Sequence, residues 1–234
     1  MEAFNSLWRA LGWPDGLAVL LFFAGWAGYA SFASKRSLLQ PSVLASTNRE
    51  RTRWMLQSTY RENRVLDGVV VQNLSTSPSF FASTTILIIG GLLAVLSSSE
   101  RASELVREIP FAARSSVLVF DLKVVLLTAV FVYAFFRFTW SLRQYTMGAL
   151  LVAAQPDYTH YSSAAQREAF ASRAGRVMGL AAEAFNDGLR AYYLAFAAVA
   201  WFFSPWAMMA ATAGVIWILY RREFHSEVLQ ALSE

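Results

Sequence analysis

The fold is decided by the stretch from Ala182 to Glu223, which reads AEAFNDGLRAYYLAFAAVAWFFSPWAMMAATAGVIWILYRRE. Its middle holds 30 consecutive residues without a charge, between two arginines. One membrane-spanning helix needs only about 20 apolar residues. Proline does not continue a helix cleanly and tryptophan favours the membrane interface, so Pro205-Trp206 marks a turn. We therefore predict a helical hairpin with arms at 182–203 and 206–223 and its turn at one membrane face.

The composition indicates an integral membrane protein. Hydrophobic residues make up 56% of the 234 residues, and charged residues only 15%, against about 25% in a soluble domain. No polar stretch is long enough for a separate soluble core, so we predict a single membrane domain over 1–234. The chain has no cysteine, which excludes disulfides and thiolate metal sites.

Three further spans are predicted, at 16–34, 78–97 and 115–142. The first has a cleaved signal peptide as its alternative, because Ser31-Phe32-Ala33 resembles a cleavage site, but the segment before it is not positively charged. In the second, Pro78 suits the first helical turn, with Ser77 as its N-cap. The fold class predicted is thus an all-α membrane bundle of about five transmembrane helices.

Basic residues are concentrated in two segments, at 34–66 and 141–181, which hold eleven of them. Such segments favour the cytoplasmic side of a membrane. We expect cytoplasmic helical segments at 43–66 and 143–181, the N-terminus outside and the C-terminus in the cytoplasm. A hairpin returns Arg221-Arg222 to that side, whereas a single fourth span would place them outside. The expected location is a bacterial inner (plasma) membrane.

Polar side chains in or beside these spans are candidates for lining a pathway, because ionisable groups within a membrane are costly and usually face a cavity or a partner. They are Asn73, Ser77, Thr84, Asp121, Lys123, Arg137, Glu183, Asn186, Asp187, Arg190 and Tyr193. The alternative places the charges of the hairpin arm in the headgroup zone, paired with one another or with Arg137. Asp121 and Lys123 stand two apart on a helix and cannot pair directly.

A dense group of hydroxyl side chains accompanies Asn73, between Ser75 and Thr85. At a helix N-terminus, free backbone N–H groups and the positive end of the helix dipole would suit an anion there. The alternative is close packing of helices through small residues and hydrogen bonds.

Small residues four apart also predict close helix contacts, at Ala24/Gly28, Ala207/Ala211 and Ala210/Gly214. The two histidines, His160 and His225, lie in separate polar segments and form no metal-binding pattern. No nucleophile motif and no glycine-rich phosphate loop is present. We therefore expect no enzymatic activity, no metal and no cofactor.

Three blocks resemble a family of uncharacterised membrane proteins from bacteria and plants, domain-of-unknown-function family five-nine-nine. They are DGVVVQNLSTSPSFFASTTI at Asp67–Ile86, FTWSLRQYTMGALLV at Phe138–Val152, and the hairpin sequence from Gly188 to Ser226. The family commonly has an arginine where Gln72 stands here. The resemblance implies an all-helical membrane fold and brings no assigned activity.

The function expected from these features is an oligomeric channel or transporter for a small ion, with an anion slightly favoured. The alternative is a non-catalytic structural or accessory subunit that binds a membrane complex through its small-residue faces. A membrane enzyme acting on lipid ranks last. The expected partners are the lipid bilayer and further copies of the chain or a membrane complex, and no nucleic acid.

Overall fold

The computed structural model describes residues 11–36, 40–108 and 116–232, and the regular structure in these ranges is entirely helical. The helices are α1 (Trp13–Arg36), α2 (Val43–Ser58), α3 (Val65–Ser97), α4 (Ser99–Glu108), α5 (Val117–Ala153), α6 (Ala164–Ala200), α7 (Pro205–Phe224) and α8 (Glu227–Ala231). The all-α fold class is confirmed. The predicted start of the third span, at 115, lies outside the described ranges.

Three helices are long and apolar enough to cross a membrane: α1 over Trp13–Ala33, α3 and α5. They support a membrane location. At 1.5 Å per residue, the 33 residues of α3 and 37 of α5 exceed the thickness of a bilayer core of about 30 Å. A helix of either length that crosses a bilayer would therefore extend past the hydrocarbon region.

The predicted hairpin is present as two helices, since α6 ends at Ala200 and α7 begins at Pro205. The predicted count of five spans is nevertheless too high by the criteria of helix length and composition. Only three helices in the described part of the chain satisfy these criteria. Two features explain the difference. Even the last 18 residues of α6 hold three charges, at Glu183, Asp187 and Arg190, and α7 offers only 16 residues before Arg221.

The position of Pro78 corrects the prediction for the second span. Helix α3 begins at Val65, so Pro78 is inside the helix and Ser77 is not its N-cap. Because proline has no N–H, the carbonyl of Leu74, four residues earlier, loses its helix hydrogen bond. The helix nevertheless continues through Pro78 to Ser97.

The structure also corrects the prediction of one helical segment at 43–66. Its helix, α2, ends at Ser58, and a connection leads to the start of α3 at Val65. The other basic segment is also interrupted, because α5 ends at Ala153 and α6 begins at Ala164, so a loop that contains Gln155-Pro156-Asp157 divides the predicted helical segment 143–181.

The chain divides into two compact units. Unit 1 comprises residues 1–36, 85–134 and 189–221, and unit 2 comprises 37–84, 135–188 and 222–234. The division falls within α3, α5 and α6, each of which contributes residues to both units.

In unit 1, α1 approaches α7 closely at Gly25. A Cβ there would lie 2.8 Å from Cδ1 of Ile216, so a larger residue would require the end of the isoleucine side chain to shift. The predicted contact residues Gly28 and Gly214 instead face open space. The Trp201 indole N–H donates to Asp15 at 2.7 Å and holds the start of α1 against the hairpin turn.

In unit 2, the apolar core is built by α2, α3, α5 and α6. Its buried members include Met55, Val71, Tyr145 and Met178. Met178 fills the space beside Gly148, where a Cβ would lie 2.5 Å from the methionine Cε. This core brings polar side chains of α2 and α6 together beside it.

Candidate functional site

A polar cavity of about 320 Å³ lies between α2 and α6 in unit 2. Two of its lining residues come from α2 and the others from α6; they are Asn48, Thr52, Ser172, Gly175, Arg176, Gly179, Leu180 and Glu183. The volume is at the lower end of the range for small-molecule sites, about 300–1,000 Å³.

Two glycines of α6 allow α2 to come this close. A Cβ on Gly175 would lie 2.7 Å from the Cα of Thr52, which is backbone and cannot move aside. A Cβ on Gly179 would lie 3.2 Å from the side chain of Asn48. The spacing of four residues on both helices aligns Gly175 with Thr52 and Gly179 with Asn48.

A hydrogen-bonded chain of three side chains closes one end of the cavity. The Asn48 amide donates to Oε1 of Glu183 at 3.2 Å, and the Arg51 guanidinium donates to Oδ1 of Asn48 at 2.8 Å. Burial lowers the pKa of Arg51, an effect that the charges of Tyr145 and Glu183 oppose. Arg51 thus balances the Glu183 carboxylate through Asn48.

One turn further along α6, Asp187 accepts a hydrogen bond from the Arg137 guanidinium of α5 and forms an ion pair with it. The neighbouring Gly188 packs directly on the ring of the fully buried Phe138, where a Cβ would lie 2.4 Å from Cε1. The sequence alternative in which the hairpin-arm charges pair with Arg137 is confirmed for Asp187.

The other candidates of the hairpin arm have separate surroundings. Arg190 and Tyr193 belong to unit 1, where the Arg190 guanidinium lies 5.6 Å from the Tyr29 ring centroid. Tyr193 packs against the cluster of Tyr29, Ala33 and Leu219. Asn186 is half-buried in unit 2.

Lys123 and Asp121 also lie in unit 1. Lys123 is only 3% exposed, and its Nζ lies 5.6 Å from the Trp201 ring centroid and 5.8 Å from that of Phe202. Oδ1 of Asp121 is buried without a hydrogen-bond partner among the described residues. The two side chains do not pair, as their spacing predicted.

The candidates on α3 lie on its outward face. Asn73 and Ser77 are exposed, and Thr84 is half-buried with its hydroxyl donating to the Phe80 carbonyl at 2.9 Å. The neighbouring Thr85 lies on the opposite, buried face and shares a hydrogen bond of 2.7 Å with Tyr192.

The sequence analysis missed the α2 side of the cavity, formed by Asn48 and Thr52, and the neighbouring Arg51 that donates to Asn48. A signal was available. Gly175 and Gly179 form a small-xxx-small pair in a polar helix, and Asn48 and Thr52 repeat at the same spacing. Periodicity can show such a pair on each helix, but it cannot show that the two pairs meet.

The sequence analysis also missed a second polar cluster, around Arg167. This cluster holds together the loops that connect the helices of unit 2. The Arg167 guanidinium lies between the rings of Tyr60 and Tyr161, 4.3 and 4.4 Å from their centroids. It donates to the carbonyl of Thr59 and, at 2.6 Å, to that of Tyr158. Arg167 thereby joins the end of α2 to the loop before α6.

The fully buried Asp67 accepts from the Trp54 indole N–H at 2.7 Å and pairs with Arg61. Both partners lie at or after the end of α2, and Asp67 lies in the first turn of α3. The carboxylate therefore fixes the connection between these helices.

Comparison with known proteins assigns the chain to a family. Residues 17–228 match the family described as "Protein of unknown function, DUF599". The chain belongs to this family. The match covers both units and confirms the family suggested by the three sequence blocks. Searches of curated proteins and of solved structures gave no match.

Proposed function

We propose that this family member is an oligomeric membrane channel for a small ion, with anions favoured, and that α3 lines its pathway. The observation that carries the proposal is the outward face of α3. Only 11% of the most apolar stretch of this candidate span is buried within the chain, and the exposed side of the helix before that stretch carries the polar side chains of Asn73 and Ser77.

The polar residues share one side of the helix. Asn73, Ser77 and Thr84 are separated by four and seven residues, which places them on one face. The buried positions Val71 and Pro78 lie on the opposite face. Lipid tails cannot hydrogen-bond an asparagine amide, so this face suits water in a pathway or the same face of other copies.

The anion preference no longer rests on a helix that starts at Pro78. It is supported instead by the charge of the face, because no carboxylate occurs on α3 after Asp67, which is buried and paired with Arg61. The positive end of the helix dipole lies at Val65, beside Arg64. Both features lower the energy of an anion relative to a cation.

The proposed topology keeps the N-terminus outside and the C-terminus in the cytoplasm of a bacterial inner membrane. Its support is the concentration of arginine in the segments around α2 and before α6. In this arrangement the hairpin also enters the membrane, because residues 191–220 carry no charge.

The second candidate function is a non-catalytic accessory subunit. It is favoured by the pairing of Arg137 with Asp187, which satisfies these charges within the chain. It is also favoured by an apolar groove between α1 and α7, lined in part by Gly28, Ala213 and Trp217. A partner helix would bury that groove.

Ion flux from proteoliposomes containing the purified protein distinguishes the two functions. The channel proposal predicts flux above that of protein-free liposomes, and faster flux down an anion gradient than down a cation gradient. Ser77→Asp should reduce the anion preference, because it places a carboxylate on the lining face. Absence of flux for every ion would contradict the channel and leave the accessory subunit.

A further inference from the structure

We propose that the cavity between α2 and α6 binds a small zwitterion, with its anionic group at Arg176 and its ammonium group at Glu183. This site lies wholly within unit 2 and uses none of the outward face of α3. It is therefore independent of the proposed channel.

The charges of the cavity are arranged as two separate ends. Arg176 and Glu183 are seven residues apart on α6, which places them on the same face and about 10.5 Å apart along the helix axis. The lining between them is uncharged and includes the hydroxyl of Thr52 from α2 and the backbone of Gly179. A ligand with one charge of each sign matches this order.

The Arg176 end of the cavity, which would bind the anionic group of the ligand, is available. Arg176 is exposed and has no ion pair or hydrogen bond with any described residue. Its guanidinium carries two parallel N–H donors, the arrangement that binds a carboxylate or phosphate through two hydrogen bonds. Ser172, one turn earlier, adds a hydroxyl to the same end of the cavity.

The Glu183 end of the cavity, which would bind the ammonium group of the ligand, is held in place by α2. Glu183 accepts from Asn48 through Oε1, which fixes the carboxylate at the cavity wall. Arg51 donates to Asn48 and forms no ion pair with Glu183 among the described residues. Its guanidinium therefore does not take the position of a ligand ammonium group at the carboxylate. Oε2 has no hydrogen bond with a described residue and can accept from an ammonium group.

The ligand is small. The cavity volume of about 320 Å³ suits a headgroup such as phosphoethanolamine, which is shorter than the separation along α6 and requires the exposed Arg176 side chain to extend toward Glu183. The same chemistry occurs in free phosphoethanolamine and in the headgroup of a phospholipid at the membrane surface, so the experiment must separate these sources.

The test is isothermal titration of the full-length protein, in a maltoside detergent that carries neither phosphate nor amine, with phosphoethanolamine. We expect saturable binding, and binding of inorganic phosphate or ethanolamine alone that is weaker by about ten-fold or more, because each makes only one charged contact. A short-chain phosphatidylethanolamine that binds more tightly than the free headgroup would identify lipid as the source. Tighter binding of the free headgroup would identify a soluble ligand.

Two variants test the assigned ends and one serves as the control. Arg176→Gln and Glu183→Gln should each weaken binding by about ten-fold. Arg173→Gln removes an exposed arginine outside the cavity lining and should change binding by less than about two-fold. Arg176 is exposed, so its variant should keep the thermal unfolding temperature of the wild type.

Three results would overturn the proposal. The first is absence of saturable phosphoethanolamine binding to the wild type. The second is binding of inorganic phosphate as tight as that of phosphoethanolamine and unchanged by Glu183→Gln, which would make the cavity a simple anion site. The third is an equal loss of binding with Arg173→Gln, which would show a general effect of surface charge.

Discussion

At the scale of single residues, Arg167 makes two ring contacts and two hydrogen bonds with one planar guanidinium. Its planar guanidinium stacks on two tyrosine rings and donates to two loop carbonyls. A lysine ammonium cannot do both at once. The connections of unit 2 therefore depend on an arginine at this position.

We predict that Arg167→Ala destabilises the protein by about 2–4 kcal/mol, from lost cation–π contact and two unpaired carbonyls. Arg167→Lys should recover less than half of the loss. Thermal unfolding in detergent measures both, with Arg173→Ala, on the exposed side of α6, as the control. A loss no greater than that of the control would show that the stacked arrangement contributes no stability.

The pair of Arg137 and Asp187 has side chains that are 30% and 29% exposed, so it is partly shielded from water. Removal of either partner takes away the compensation that it gives to the charge of the other. We predict a coupling energy of about 1–3 kcal/mol in a double-mutant cycle with Arg137→Ala and Asp187→Ala. Additive effects of the two substitutions on stability would contradict a direct interaction.

At the scale of helices, the approach of α2 to α6 is controlled by glycine. Gly175→Ala should destabilise by about 1–3 kcal/mol, because its Cβ meets the backbone of Thr52. Gly148→Ala should cost less, since the atoms it meets belong to the flexible end of Met178. Gly214→Ala, which meets nothing, is the control for thermal unfolding. Equal effects at Gly175 and Gly214 would contradict the close contact.

The helices themselves could be predicted largely from sequence, because long apolar runs and Pro205 leave few alternatives. The start of α3 could not. Pro78 indicated a helix beginning, but the helix starts at Val65 and continues through the proline. A proline in the sequence reports only on the helical turn around it. The start of α3 is instead set by the connection from α2, which Asp67 holds in place.

The candidate site was harder to predict because it needs two helices. Glu183 and Asp187 were recognisable as costly charges near a membrane segment. Their partners Asn48 and Arg137 lie 135 and 50 residues away along the chain. Periodicity gives the face of one helix and carries no information on which other helix covers it.

At the scale of the whole molecule, the proposed topology can be tested in the membrane because the chain has no cysteine. We predict that Cys introduced at Ser98 reacts with an impermeant thiol reagent applied from outside, and that Cys introduced at Ser233 does not. Lysed membranes, in which both should react, provide the control. Reaction of the second position from outside would contradict a cytoplasmic C-terminus.

The channel proposal depends on the outward face of α3, and one measurement tests it most directly. It is ion flux through Ser77→Cys protein before and after reaction with a charged thiol reagent, with Ile218→Cys on the exposed face of α7 as the matched control. The account predicts that the reagent abolishes most of the flux at position 77 and leaves the control unchanged. Full flux after complete modification of position 77, or an equal loss in the control, would contradict an α3-lined pathway.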